Sequence, residues 1–191
     1  MPSAIRQRLN LRAYFALCAE NLRRRWWQLL LPIVVIGIFQ IFFRLDVNLS
    51  ESLPDHVFVT MKGQTADIKS GDYIAFKWPG GGPYPQGFHF IKIVLGVPGD
   101  VVSMDGERNF YIDKADANKT NLKEVFLAGR SVGKAKTHSL KGEPLQAGLT
   151  GVIPPDHFYV YAPHPDSLDS RYAMTGWIPR DAILGKTYPI F

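Results

Sequence analysis

From Trp26 to Phe43 the chain runs WWQLLLPIVVIGIFQIFF, eighteen residues without a charge. As a helix, a stretch of this length crosses about 30 Å of hydrocarbon when its flanking residues assist. Trp26, Trp27, Phe42 and Phe43 stand at its two ends, where aromatic rings favour the membrane interface, and Pro32 falls early enough to be tolerated. Beyond it the pattern changes to short alternating runs broken by Gly and Pro, which argues for strands. The clearest are Val57 to Lys62, Tyr73 to Trp78, Phe88 to Leu95, Val101 to Met104, Phe110 to Ile112 and Phe158 to Tyr161. Turn chemistry separates them: Ser70-Gly71-Asp72, Pro79-Gly80-Gly81-Gly82-Pro83, Val97-Pro98-Gly99-Asp100 and Asp105-Gly106. The expectation is a mostly β body behind one N-terminal transmembrane helix. From Asp113 to about Thr150 the chain turns polar and lysine-rich with weak periodicity, and is read as an inserted subdomain or long loop without assignable chemistry.

Charge refines this picture. The net charge of +5 is local in origin, because Arg6, Arg8, Arg12, Arg23, Arg24 and Arg25 face a single acid, Glu20, in the first 25 residues. A basic head beside an apolar span suits anionic lipid headgroups, whereas a nucleic-acid partner, which is not expected, would want a basic patch on the folded body. Arg23 to Arg25 abut the span on its amino side and only Arg44 and the distant Lys62 follow it, so the positive-inside rule puts the amino terminus in the cytoplasm. The expected organisation is a basic cytoplasmic head at 1–25, an anchor at 26–43 and an extracytoplasmic domain at 44–191, periplasmic in a Gram-negative cell. A cleaved secretory signal is the alternative, but the apolar core is long for one and no Ala-x-Ala site follows. Cys18 is the only cysteine, so neither a disulfide framework nor a thiolate metal site is expected.

Neither a metal nor a cofactor is implied. His56, His89, His138, His157 and His164 are scattered, and Gly80 to Gly82 lacks the Lys-Ser/Thr and helix of a phosphate loop. Three segments carry candidate chemistry. Asn48-Leu49-Ser50-Glu51-Ser52-Leu53-Pro54 lies within ten residues of the end of the apolar span, a position from which a serine could attack substrates held at the bilayer surface. Phe88 to Asp100 encloses one lysine, Lys92, in an apolar strand. For that amine to act as a base near neutral pH its pKa must fall by about 3 from 10.4, at a desolvation cost of roughly 4 kcal/mol. Pro163 to Arg171 is rich in polar groups able to orient one another. Taken singly, each residue has a plainer reading: Ser52 as a turn serine, Lys92 on an outer strand face with Phe90 and Val94, Asp169 and Arg171 as a surface ion pair. A rival arrangement uses a histidine, His56 four residues after Ser52 or His164 beside Asp166, although closeness in sequence is no evidence of a catalytic hydrogen bond.

Read in order, Ser-x-Ser after a membrane span, then Lys-x-x-x-Gly-x-Pro-Gly-Asp (Lys92 to Asp100), then Ser-x-Asp-Ser-Arg (Ser167 to Arg171) resembles the type I signal peptidase family. Ser52-Leu53-Pro54, in place of the Ser-Met-x-Pro usual in housekeeping members, is more similar to the TraF-type conjugative-transfer peptidases, which process pilin precursors. The resemblance implies Ser52 as acyl-forming nucleophile, Lys92 as its general base, Ser50 with the Ser52 backbone N–H as oxyanion hole, Ser167 orienting the lysine, and Asp169 with Arg171 as a supporting ion pair. A neutral amine activates a hydroxyl without a third acidic member. Two departures stand out: Ile93 occupies a place where the family often has arginine, and Ala162-Pro163-His164-Pro165 replaces the usual Gly-Asp-Asn-Arg.

The implied function is a membrane-anchored serine endopeptidase that cleaves a preprotein next to small side chains. Its implied partners are the lipid bilayer, the preprotein or pilin precursor, and other conjugation-apparatus proteins. A housekeeping signal peptidase and a non-catalytic scaffold of a secretion apparatus stay open as alternatives, as does resolution of the acyl-enzyme by the pilin's own amine, giving a cyclic product in place of simple hydrolysis.

Overall fold

The computed structural model describes residues 11–48, 52–114 and 130–190. Helix α1 spans Leu11–Phe42, with Pro32 inside it and a non-helical Arg25 (φ −122°, ψ 21°). Its stretch Tyr14–Phe42 is, among the described residues, the one helix long and apolar enough to cross a membrane. Its apolar side chains, Leu29 to Ile41 among them, are exposed along the helix. The helix begins well before the expected span, and Phe43, expected as its last residue, opens the first strand instead.

The body contains eleven strands among the described residues: β1 (Phe43–Val47), β2 (Val57–Lys62), β3 (Tyr73–Lys77), β4 (His89–Gly96), β5 (Val101–Met104), β6 (Asn109–Asp113), β7 (Arg130–Lys134), β8 (Gly151–Val152), β9 (His157–Tyr161), β10 (Ile178–Pro179) and β11 (Ile183–Pro189). They form a seven-stranded sheet, β1-β2-β11-β3-β4-β9-β10, and a four-stranded sheet, β7-β6-β5-β8. All neighbours are antiparallel. The fold is thus mostly β with one N-terminal helix.

Alternation along the strands sorts side chains into three apolar clusters. Ile74, Phe76, Trp78, Val94, Phe158, Val160 and Ile178 make one, with Phe90 packed against it. Val102, Phe110, Ile112, Val132, Ile153, Tyr159 and Tyr172 make a second. Leu53, Phe58 and Ala162 make a third, on which Ile91 and Ile93 rest. Strands β9 and β4 each serve more than one cluster. Strand β9 sends Phe158 and Val160 into the first and Tyr159 into the second, which is why its sequence has no polar face. Strand β4 turns Phe90 and Val94 to the first cluster and Ile91 and Ile93 to the third.

The polar stretch expected as an insertion is, in its described part, woven into the body. Strand β7 pairs with β6, and Val132, Ala135 and Leu145 are buried in the second cluster. Residues 138–144 form a tight hairpin, closed by a bridge between His138 and Pro144 and by the Ser139 N–H donating to the Glu143 carbonyl at 2.8 Å. Arg108, at φ 69°, grips this segment with its guanidinium on the carbonyls of Ala135, Lys136 and Leu145. Residues 115–129 lie outside the described part of the chain.

Gly185 sits where β11 passes between β2 and β3, and a Cβ there would stand 1.9 Å from the Met61 carbonyl oxygen. Gly185→Ala is therefore expected to lose about 2–4 kcal/mol of unfolding free energy, since backbone in the middle of a sheet has no room to yield. Denaturant melts of the detergent-solubilised chain check this; an unchanged midpoint would contradict the close approach.

Candidate active site

Lys92 lies in the middle of β4, opposite Ile74 of β3 and on the same face as Phe90 and Val94. The outer-face reading of this residue does not hold: the strand is covered on both sides, and Lys92 is only 3% exposed. Its Nζ donates to Ser167 Oγ at 2.6 Å and stands 5.8 Å from the centroid of the Phe90 ring. Burial lowers its pKa from 10.5 to about 8; the Arg171 charge pushes the same way and the Asp169 carboxylate opposes both. Desolvation favours the neutral amine because a charge loses more than a dipole on leaving water.

Ser167 is presented by a tight turn. Its N–H donates to the His164 carbonyl at 3.0 Å, and the Asp166 N–H donates to His164 Nδ1 at 3.2 Å. Two residues further, Asp169 is fully buried and paired with the nearly buried Arg171 through Nε to Oδ1 at 2.9 Å and Nη2 to Oδ2 at 2.8 Å. The backbone N–H groups of Ala162 and Arg171 donate to the same carboxylate at 3.2 and 3.1 Å. Four donors on one carboxylate supply what burial removes, and a charge held this way fixes the local backbone. Ser170, between the two, locks onto β9: its N–H donates to the Val160 carbonyl at 3.0 Å and its Oγ accepts from the Val160 N–H at 2.9 Å. On the far side Gly148 donates its N–H to the Arg171 carbonyl at 2.8 Å, and a Cβ at Gly148 would lie 2.1 Å from the Ser170 carbonyl oxygen. Only glycine permits this approach.

Ser52 is half-buried in the turn between β1 and β2. Its neighbour Leu53 is 2% exposed and shares the third cluster with Ile91 and Ile93, the two residues flanking Lys92 on the opposite face of β4. The segment holding the serine is thereby anchored to the back of the strand holding the lysine. Ser52, Lys92 and Ser167 line a single cleft of about 570 Å³. Asp169 and Arg171 lie behind that wall and do not line it. Ser50 lies outside the described residues.

The cleft also has walls that the sequence pattern did not single out. One is aromatic: Phe90, with Tyr84 edge-on to it at 5.0 Å, and Pro83 from the glycine-rich loop read only as a turn. The other comes from the polar stretch, through Lys136 and the 138–143 hairpin with Leu140 at its tip. The presence of Tyr84, Phe88 and Phe90 around the glycines was the available signal for the first wall; the second had none in periodicity. Among the described residues no three His, Cys, Asp or Glu side chains cluster to hold a metal ion. His164 lines the cleft, but its Nδ1 is engaged by the Asp166 N–H, and His56 does not line the cleft.

Lys92 should cost stability wherever it is charged in the unfolded chain. Its folded pKa is depressed, so the unfolded state binds more protons between pH 8 and 10.5; stability rises with pH across that window, and the penalty is complete below it. The fall from 10.5 to about 8 corresponds to about 3 kcal/mol. Lys92→Met is therefore expected to be more stable than the wild type by up to about that amount at pH 7, with the advantage fading between pH 8 and 10.5 and gone above it. Denaturant titrations at several pH values measure it, and a variant no more stable at pH 7 would contradict the buried amine.

Residues 23–191 match the family described as "Signal peptidase, peptidase S26". Signal peptidase I of Pseudomonas aeruginosa is 26% identical over 145 residues, which cover 65% of this chain and 49% of that protein. The chain thus spans about half the length of this curated relative. The crystal structure of a signal peptidase I from Enterococcus faecalis is 22% identical and aligns with 63% of this chain and 97% of its own, at a TM-score of 0.37. With nearly nine-tenths of its length inside the family match, and with the lysine strand and the Ser167–Arg171 segment both within it, the chain belongs to the signal peptidase family, peptidase S26.

Proposed function

We propose that the protein is a membrane-anchored serine endopeptidase in which Ser52 is the nucleophile and Lys92 its general base. The observation that carries this reading is a lysine 3% exposed, with its pKa brought down to about 8, on a cleft that Ser52 also lines. The neutral amine takes the proton from Ser52 Oγ as the oxygen attacks the substrate carbonyl, and the resulting ammonium returns a proton to the leaving amine. The Ser50 hydroxyl and the Ser52 backbone N–H stabilise the oxyanion. Water, activated by the same amine, then resolves the acyl-enzyme. Ser167 orients the amine, and the Asp169–Arg171 pair holds the backbone that carries Ser167.

In this reading residues 1–25 are a cytoplasmic head, 26–43 the anchor and 44–191 an extracytoplasmic domain, with substrates presented from the same bilayer. The substrate is a preprotein with small residues flanking the scissile bond. The Ser52-Leu53-Pro54 segment favours a conjugative pilin precursor over the clientele of a housekeeping peptidase.

The test is the mass of a preprotein incubated with the detergent-solubilised chain. Wild type is expected to cleave it, Ser52→Ala and Lys92→Arg to leave it intact, and kcat/KM to rise with pH through about 8 as the amine loses its proton. Processing by Ser52→Ala at the wild-type rate would leave the scaffold reading in its place. Failure to replace an essential housekeeping signal peptidase in cells is the expected result if the pilin reading holds.

A further inference from the structure

One group in the polar stretch, Lys136, has no part in the proton transfers above, yet reaches the turn that presents Ser167. Lys136 Nζ forms an ion pair with the Asp166 carboxylate, immediately before Ser167, and both side chains line the cleft. The Lys136 backbone is itself held: its N–H donates to the Tyr172 hydroxyl at 3.1 Å, and its carbonyl accepts from Arg108 Nη2 at 3.0 Å. Arg108 also holds the carbonyls of Ala135 and Leu145, at 3.2 and 2.9 Å, and Arg171 Nη1 reaches the Lys134 carbonyl at 3.4 Å. Lys136 thus projects from backbone fastened on three sides. The turn it grips, in contrast, is built of exposed and half-buried residues from Pro163 to Asp166, closed by two hydrogen bonds to His164.

We propose that Lys136 and Asp166 act as a clasp that positions the Ser167 hydroxyl, and through it the amine of Lys92. An ordinary ion pair this exposed, with the two side chains 42% and 28% accessible, adds little to overall stability. Its value here is geometric. The Lys92–Ser167 bond is 2.6 Å long, and Ser167 hangs on a short turn whose other end is open to the cleft. Releasing Asp166 lets the turn drift and admits water to the amine, which loses alignment and regains proton affinity together. A displacement of about 1 Å in such a group is enough to cost on the order of a hundredfold in rate. The segment that follows β7 thereby has a task in the site that it does not perform chemically. Lys136 and Asp166 are positioning residues; neither touches the reacting atoms.

This inference rests on the Ser52–Lys92 reading, and the experiment separates the two. With the detergent-solubilised full chain, Lys136→Ala is expected to lower kcat by about tenfold to a hundredfold with KM within about twofold, and to move the acid limb of the rate upward in pH. Lys136→Asp combined with Asp166→Lys should recover most of the lost kcat, while Asp166→Lys alone should not. A second measurement needs no turnover: with ¹³C-labelled lysine, the Lys92 signal is assigned by its disappearance in Lys92→Met, and its titration midpoint is followed in Lys136→Ala. An upward move supports the clasp even if the wild-type chain cleaves nothing, in which case only the peptidase reading falls. An unmoved Lys92 midpoint in Lys136→Ala, or a loss of kcat that the reversed pair fails to recover, overturns the clasp.

Discussion

The structure is organised around one unfavourable act, the removal of a primary amine from water. A lysine in the middle of a strand with apolar neighbours on both faces of the sheet is held at a cost in stability, with its proton affinity lowered and its polarity met by a hydroxyl. Everything nearby can be traced to that requirement. Phe90 and Val94 exclude solvent along the strand, Ser167 supplies the one polar contact, and the Asp169–Arg171 pair fixes the backbone behind it. The pair also sets two opposed charges at the amine, so that burial dominates over either of them. The arrangement sacrifices stability, and under the proposed function reactivity is what is gained in exchange.

How the partners are brought together follows from the strand pattern. Because β4 is apolar on both faces, its back can serve as a platform for Leu53 while its front holds the lysine. Segments 40 residues apart in sequence are thus located relative to one another by packing, which is stiffer than a loop hydrogen bond. The same economy recurs at Ser170, whose two hydrogen bonds to Val160 tie the last motif to the strand next to β4.

Much of this was visible in the order of residues alone, and the parts that were not have identifiable reasons. The long apolar helix and β2, β3, β4, β5, β6 and β9 announce themselves through unbroken or alternating apolar runs. Strand β11, Ile183–Pro189, hides behind a glycine, a lysine and a proline, and β7 reads Arg-Ser-Val-Gly-Lys, so neither shows alternation strong enough to notice. Strand β1 is masked by its continuity with the apolar span before it. For the candidate site, Ser52, Lys92 and Ser167, which line the cleft, and Asp169 and Arg171 behind it were legible as an ordered set of motifs, whereas which way Lys92 faced was not, since apolar residues flank it on either side. Lys136 and Arg108 were invisible because each works through a partner about 30 residues away, a carboxylate in one case and bare carbonyls in the other, and neither leaves a periodic trace.

The double duty of β9 has a further consequence. Since successive side chains of this one strand, Phe158, Tyr159 and Val160, are committed to different apolar clusters, neither cluster can be loosened without tugging at the other. The two sheets are bound to melt together, and inherited changes in one are constrained by what the other already contains. A lineage that remodels the cleft wall contributed by residues 136–145 has to do so through the 138–144 hairpin, leaving the shared strand alone.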